Sequence, residues 1–312
     1  MLKLELHSSK TIECFHGIRA LSAFWIIAGH RINELEKMLQ QPSHVDSVFA
    51  KFIITVLRTN QYAVDTFFLM SGILFTQCLE ITWYLSTDFQ LIVISPLFIF
   101  ILWKYKYKAF WLFVAIICST QLGIFFARYN DTIPSREIYG QTHFRIAQYL
   151  IGIGLGYKMN DLDVKHFMRK RYQLIGWLAS FSIFIGIQII RETYRNQRFA
   201  EAFFSSVHRI AFVGLVSWII YVCHYLKSGG IVNWFLSQPL WQPIAKISLS
   251  IYLIHTTYII MSNVNSEDCM HLNATWLMHI LFGDFVIATL LASILYLVIE
   301  APSNLIIKYL IK

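Results

Sequence analysis

The sequence predicts an all-α protein, a polytopic transmembrane helical bundle of about nine spans. Three observations predict it. Apolar runs near the ~20 residues that cross a bilayer as a helix recur along the chain. Only 14% of the 312 residues are charged and 56% are hydrophobic, against about 25% charged in a soluble domain. With a mean hydropathy of +0.54, too few charges exist to coat a compact water-facing surface. Lysine and arginine gather in short clusters between the runs, the pattern of cytoplasmic loops. Backbone in lipid must bond internally, so runs of this length are helices. A membrane barrel would show ~10-residue alternating segments instead.

Residues 1–15 are a short N-terminal segment; MLKLELHSSK lacks the apolar core of a cleavable signal. Residues 16–302 form the membrane domain, and 303–312 a C-terminal tail. The spans fall at 16–33, 62–79, 84–103, 109–127, 143–158, 172–190, 207–226, 244–262 and 277–300. Pro96 predicts a kink or break in the third. The fifth is short and carries Gly152, Gly154 and Gly156, which suit close packing on a neighbour. VFAKFIITVLR (48–58) and PSNLIIKYLIK (302–312) are amphipathic and read as interfacial.

Basic clusters at 103–108 and 165–171 place those loops in the cytosol, while 78–90 and 262–274 lack Lys and Arg and face out. Sequons at Asn130 and Asn273 fall in loops assigned outside and are glycosylation candidates. The net charge of +8 and pI near 9.2 would suggest nucleic acid in a soluble protein; here they mark inside loops, and no nucleic-acid partner is expected. Five cysteines show no metal spacing, and three inside apolar runs read as buried thiols. No metal cluster or nucleotide-binding glycine loop stands out.

Ionisable groups cost at least ~2.5–3.5 kcal/mol at the bilayer centre, so those inside spans are site candidates. In HGIRALSAFWIIAGH (16–30), Arg19 and His30 are eleven positions apart. That is about three turns, so they share a face ~16 Å apart along the axis. Arg19 is either a snorkelling anchor or a clamp for phosphate or carboxylate. His30 is either a packing residue or a proton-accepting base. Asp65 opens the second span, where a carboxylate caps the first turn. Ser71 and Gly72 suit close helix contact or backbone approach to a substrate. His255 lies mid-span among Ser248, Ser250, Thr256 and Thr257, a face suited to inter-helix hydrogen bonding or to catalysis. Glu300 ends the last span, where the helix dipole disfavours it; it reaches water or finds a cation, with Arg19 one candidate.

Taken together, HGIRALSAFWIIAGH, VDTFFLMSGIL, WYLSTDFQLIVISP, FRIAQYLIGIGLGY, SLSIYLIHTTYI and VIEAP resemble, in order, the integral-membrane acyltransferase-3 superfamily. With Cys14 they resemble its animal, nose-resistant-to-fluoxetine-like branch. The resemblance implies transfer of an acyl group from a thioester donor, acyl-CoA being the expected co-substrate, to a hydroxyl of a lipid, sugar or other acceptor. It implies His30 and Arg19 as the essential pair, Asp65, Ser71, Gly72, His255 and Glu300 as supporting positions, and no bound cofactor. The expected partners are membrane lipid, acyl donor and hydroxyl acceptor, and the expected location is the endoplasmic reticulum or plasma membrane. A transporter or uptake factor using the same polar face without covalent chemistry, and an inactive remnant of the family, are the alternatives.

The chain departs from the family in two places. The branch usually carries a cysteine-bearing extracellular domain before the membrane part, and this chain starts almost at the first span. The family also has a further span between the stretches matching FLMSGILFTQCL and ITWYLSTDF, so the domain lacks one span near 79–82. Charge parity flags the same place. The N-terminal basic residues favour an outside N-terminus, which is the alternative to a missing segment.

Overall fold

A computed structural model describes residues 12–38, 48–77, 86–132, 142–159, 168, 170–193, 197–225, 229–264, 274–303 and 305. Among them every regular element is helical. In chain order these are α1 (Cys14–Met38), α2 (Val48–Arg58), α3 (Gln61–Gln77), α4 (Ser86–Tyr105), α5 (Tyr107–Tyr129), α6 (Ile146–Met159), α7 (Lys170–Thr193), α8 (Arg198–Ile220), α9 (Gly230–Leu236), α10 (Trp241–Lys246), α11 (Ser248–Val264) and α12 (Ala274–Leu295). Wider π-turns at Tyr221–Tyr225 and Tyr296–Glu300 extend α8 and α12.

Among the described residues four stretches are long and apolar enough to cross a membrane: Lys108–Tyr129, Lys170–Ile190, Arg198–His224 and Leu277–Ser303. Large apolar side chains on these and neighbouring helices point outward, Trp103 at 71% exposure and Phe282 at 67% among them. Water would penalise such surfaces; lipid does not. The protein is therefore an all-helical membrane protein. The remaining predicted spans coincide with α1, α3, α4, α6 and α11. Of these, α3, α6 and α11 are 17, 14 and 17 residues long, at or under the lower limit for a spanning helix, and α1 carries charge along its length.

Pro96 does not break α4, which runs through it. Its missing N–H leaves the Ile92 carbonyl without its helical donor, and the Ser95 hydroxyl donates to that carbonyl at 2.6 Å instead. A local serine thus satisfies the group the proline orphans.

The chain divides into two compact units, one built on Asp65–Trp234 with Cys14 at its edge, the other on Phe15–Val64 and Phe235–Lys312. In the first, α4 and α5 form a hairpin turned at Lys106, whose φ is 43°, with Phe98 edge-on to Phe113. Their apolar faces close over Tyr149, Leu150 and Ile153 of α6. Helix α5 runs antiparallel to α6, since Ile124 and Ala127 at its far end cluster with Phe144. Helix α3 runs parallel to α6. Asp65 meets Arg145 near both starts, and seven residues on in each chain Gly72 meets Gly152. Helix α8 runs parallel to α6, with Arg209 near Asp65 and Tyr221 beneath Lys158. It is antiparallel to α7, whose Gly176 lies against the Trp218 indole.

In the second unit α1 packs between α11 and α12. Ala28, Ile32 and Leu35 cluster with Leu277 and Leu281, while Ala23 and Ile27 cluster with Ala288 and Ala292, so α1 and α12 are antiparallel. Contacts of Tyr258 with Asp284 and Ser250 with Glu300 make α11 and α12 antiparallel as well. It follows that α1 and α11 are parallel. The Trp25 indole donates to the Val56 carbonyl at 2.8 Å and pins α2 to α1.

The α3–α6 crossing depends on two glycines. A Cβ on Gly72 would lie 2.5 Å from the Tyr149 carbonyl oxygen, and one on Gly152 would collide with the Leu69 carbonyl. Both obstacles are backbone, which cannot swing away. Gly152→Ala is expected to destabilise the protein by about 1–3 kcal/mol through overpacking. Gly154→Ala, whose Cβ would meet no atom within 4 Å, is expected to be neutral or slightly stabilising through its helix propensity. Thermal unfolding of the two variants in detergent checks the contrast.

Candidate active site

Helix α1 presents its polar residues because it is wedged between two partners rather than facing lipid. His30, predicted as a base, is half-buried, and its ring lies against His255 of α11 with centroids 5.0 Å apart and planes at 57°. His255 is buried at 2% exposure. Its Nδ1 faces the Ile251 carbonyl at 3.2 Å, so Nδ1 carries the proton and donates. Its Nε2 then accepts the Thr256 hydroxyl at 3.1 Å. The carbonyl bond fixes tautomer and ring plane together. Tyr252 completes this wall, its ring 5.7 Å from His255. One imidazole is thus locked, and the other, His30, is held beside it.

Arg19 is half-buried three turns earlier on α1, and its Nε is enclosed without a hydrogen-bond partner. Glu300 does not pair with it; its carboxylate accepts the Ser250 hydroxyl at 2.8 Å, which answers the unfavourable end of the helix dipole locally.

Asp65 belongs to the other unit. It does not cap its helix, because α3 begins at Gln61 and the carboxylate lies inside the helix. It is wholly buried, takes the Arg145 guanidinium on Oδ1 and has Arg209 at 3.9 Å, while Oδ2 is enclosed without a hydrogen-bond partner. Ser71 is buried and precedes Gly72, which meets α6. Asn130 is exposed at the end of α5; Asn273 lies outside the described residues.

Of the cysteines, Cys14 and Cys223 are buried and Cys118 is exposed on the apolar surface of α5; Cys78 and Cys269 lie outside the described residues. Cys14 is enclosed at 1% exposure with Cys223 nearby. Such burial suits a packing thiol.

Sequence reasoning missed the charged partners that geometry supplies. Arg31, immediately after His30, forms a bidentate pair with Asp284 of α12: Nε on Oδ2, and Nη2 on Oδ1 at 2.6 Å. Arg145 and Arg209 around Asp65 were likewise unremarked. The signal was present, since all four lie in apolar runs and the rule that singled out Arg19 applies equally to them.

The profile of the acyltransferase-3 family, described as an acyltransferase domain, matches residues 73–298. The chain belongs to this family. Nose resistant to fluoxetine protein 6 of Caenorhabditis elegans is 22% identical to it over 225 residues, an alignment covering 62% of this chain and 27% of the relative. The chain spans 27% of the curated relative it matches. No solved structure matches it. The matched stretch begins after α1, so His30 and Arg19 stand on their own spacing and surroundings.

Proposed function

We propose that this membrane protein transfers an acyl group from a thioester donor, acyl-CoA, to a hydroxyl acceptor, with His30 as general base. The observation that carries the reading is the contact of His30 with a tautomer-locked His255 in a chain of the acyltransferase-3 family. The acceptor hydroxyl gives its proton to His30 as its oxygen attacks the thioester carbonyl. The carbon–sulfur bond then breaks, and the proton passes from His30 to the departing thiolate. Arg19, whose buried Nε has no partner, holds donor phosphates. A donor as long as CoA bridges the ~16 Å of helix rise between Arg19 and His30. Asp65, Ser71, Gly72 and Glu300 support the scaffold.

Nine crossings, α1, α3–α8, α11 and α12, make up the membrane domain of residues 16–302 in this proposal, in the endoplasmic reticulum or plasma membrane. The helix directions support a tenth crossing that this chain lacks. Helices α3, α4 and α6 all run the same way, yet α3 and α4 are consecutive. Only residues 78–85 join them. Eight residues are too few for the helix of ~20 that a further crossing requires. The second unit gives the same answer independently. Helices α1 and α11 are parallel, which needs an odd number of crossings between them, and α3 to α8 supply six. One additional span between α3 and α4 corrects both counts.

Two measurements test the proposal. The purified protein in proteoliposomes, supplied with radiolabelled acyl-CoA and hydroxyl-bearing lipid, is expected to place label on the lipid. Labelled-lipid movement without transfer would favour transport and overturn the reading. Transcripts across residues 75–85 are expected to include one encoding about 20 further apolar residues, and that longer form should be the more active. Equal activity and folding without it would remove the tenth crossing.

A further inference from the structure

Arg31 and Asp284 are almost wholly buried, at 3% and 4% side-chain exposure. Arg31 Nη2 also donates to the Ser262 hydroxyl at 3.2 Å. The Tyr258 hydroxyl lies beside Asp284 and Ser262. Arg31, Asp284 and Ser262 therefore connect three helices in one network with Tyr258 beside it, as a buried charge pair requires if its desolvation is to be offset.

Its placement gives it a role. Arg31 follows His30 directly on α1. On α11, His255, Tyr258 and Ser262 are spaced by three and four residues and share one face. The same two helix faces carry the network and the imidazole contact. Ala23, Ile27, Ile247, Ile251 and Ile259 cluster in the same contact, and apolar burial is non-directional and does not by itself dictate one register. A bidentate guanidinium–carboxylate pair has one geometry.

We infer that Arg31 and Asp284 are positioning residues, whose ion pair sets the register in which His30 meets His255. The inference deepens the proposed role of His30 and rests on it for its bearing on activity. The geometric claim stands separately. Asp284 anchors Arg31 to α12, Ser262 ties it to α11, and α1 can neither turn nor slip without breaking two charge-assisted bonds.

The test is cross-linking, which needs no activity. In full-length protein with its native cysteines replaced, His30→Cys with His255→Cys reports the contact through a short bifunctional thiol reagent. Ser250→Cys with Glu300→Cys reports the α11–α12 hairpin as a control. Each pair is placed in the parent and in Arg31→Met/Asp284→Leu, which removes both charges at similar volume, a change that is often neutral for folding. The 30–255 cross-link is expected to slow at least about tenfold while the 250–300 cross-link keeps its rate. If the 30–255 rate is unchanged, the positioning role is overturned. Should the apolar double variant fail to fold, Arg31→Gln/Asp284→Asn serves with the same two outcomes. In transfer assays with native histidines, the apolar variant is expected to lose turnover about tenfold at unchanged KM for acyl-CoA. If the parent transfers no acyl group, the catalytic reading fails while the cross-linking result still decides the register.

Discussion

His30→Ala is expected to lower acyl transfer by about two to four orders of magnitude, the usual contribution of a positioned general base. A hydroxyl is a poor nucleophile while it keeps its proton, and His30, half-buried against the His255 ring, is the imidazole proposed to take it. Both ring nitrogens of His255 are engaged, by the Ile251 carbonyl and the Thr256 hydroxyl. His255→Gln is therefore expected to cost less than His30→Gln, although both keep a hydrogen-bonding side chain of similar bulk. Folding should survive in each case, because His30 is half-buried and its loss opens no enclosed cavity in the aliphatic α1–α11 contact. Turnover of radiolabelled acyl-CoA in proteoliposomes, beside size-exclusion profile and helical content, separates loss of chemistry from loss of structure. A folded His30→Ala protein with parental turnover would remove the base.

How far the sequence could be read depends on the range of the interaction concerned. Helices α5, α7, α8 and α12 follow from run length and apolarity alone, and the stretches at 109–127 and 172–190 agree with Tyr107–Tyr129 and Lys170–Thr193 to within a few residues. The glycine-rich run of α6 pointed to close packing, and Gly152 does touch backbone. Pro96 leaves α4 unbroken, and the Ser95 hydroxyl that answers the freed carbonyl belongs to a neighbour whose direction no periodicity reveals. Asp65 misled because a carboxylate near a helix start suits a cap, and only the fold brings Arg145 from 80 residues away. Arg31 and Asp284 are 253 residues apart. Each alone is an anomaly in an apolar run, and pairing them requires three dimensions. The Arg19–His30 spacing was legible because both lie on one helix, whereas the neighbour of His30 is on another.

Asp65→Ala is expected to destabilise the protein by about 3–5 kcal/mol, the cost of leaving a buried charge without its partner. The Arg145 side chain is 3% exposed and loses its bonded carboxylate; Arg209, 3.9 Å from the same oxygen, loses a nearby countercharge. Asp65→Asn keeps an oxygen for Arg145 to donate to and is expected to cost less. Removing both ends together, as Asp65→Leu/Arg145→Met, is expected to recover much of the loss, because two desolvation penalties disappear with the attraction. That ordering distinguishes an electrostatic partnership from simple packing, in which the double variant would be the worst of the three. The same variants probe the parallel α3–α6 arrangement. Asp65 and Gly72 are seven residues apart, as are Arg145 and Gly152, so the ion pair and the glycine contact are ~10 Å apart along one interface. Independent anchors at that spacing add to within about 0.5 kcal/mol. Asp65→Asn combined with Gly152→Ala should therefore equal the sum of the single effects in thermal unfolding. A shortfall of more than about 1 kcal/mol would mean that breaking one anchor already releases the other, and that α3 leaves α6 as a unit.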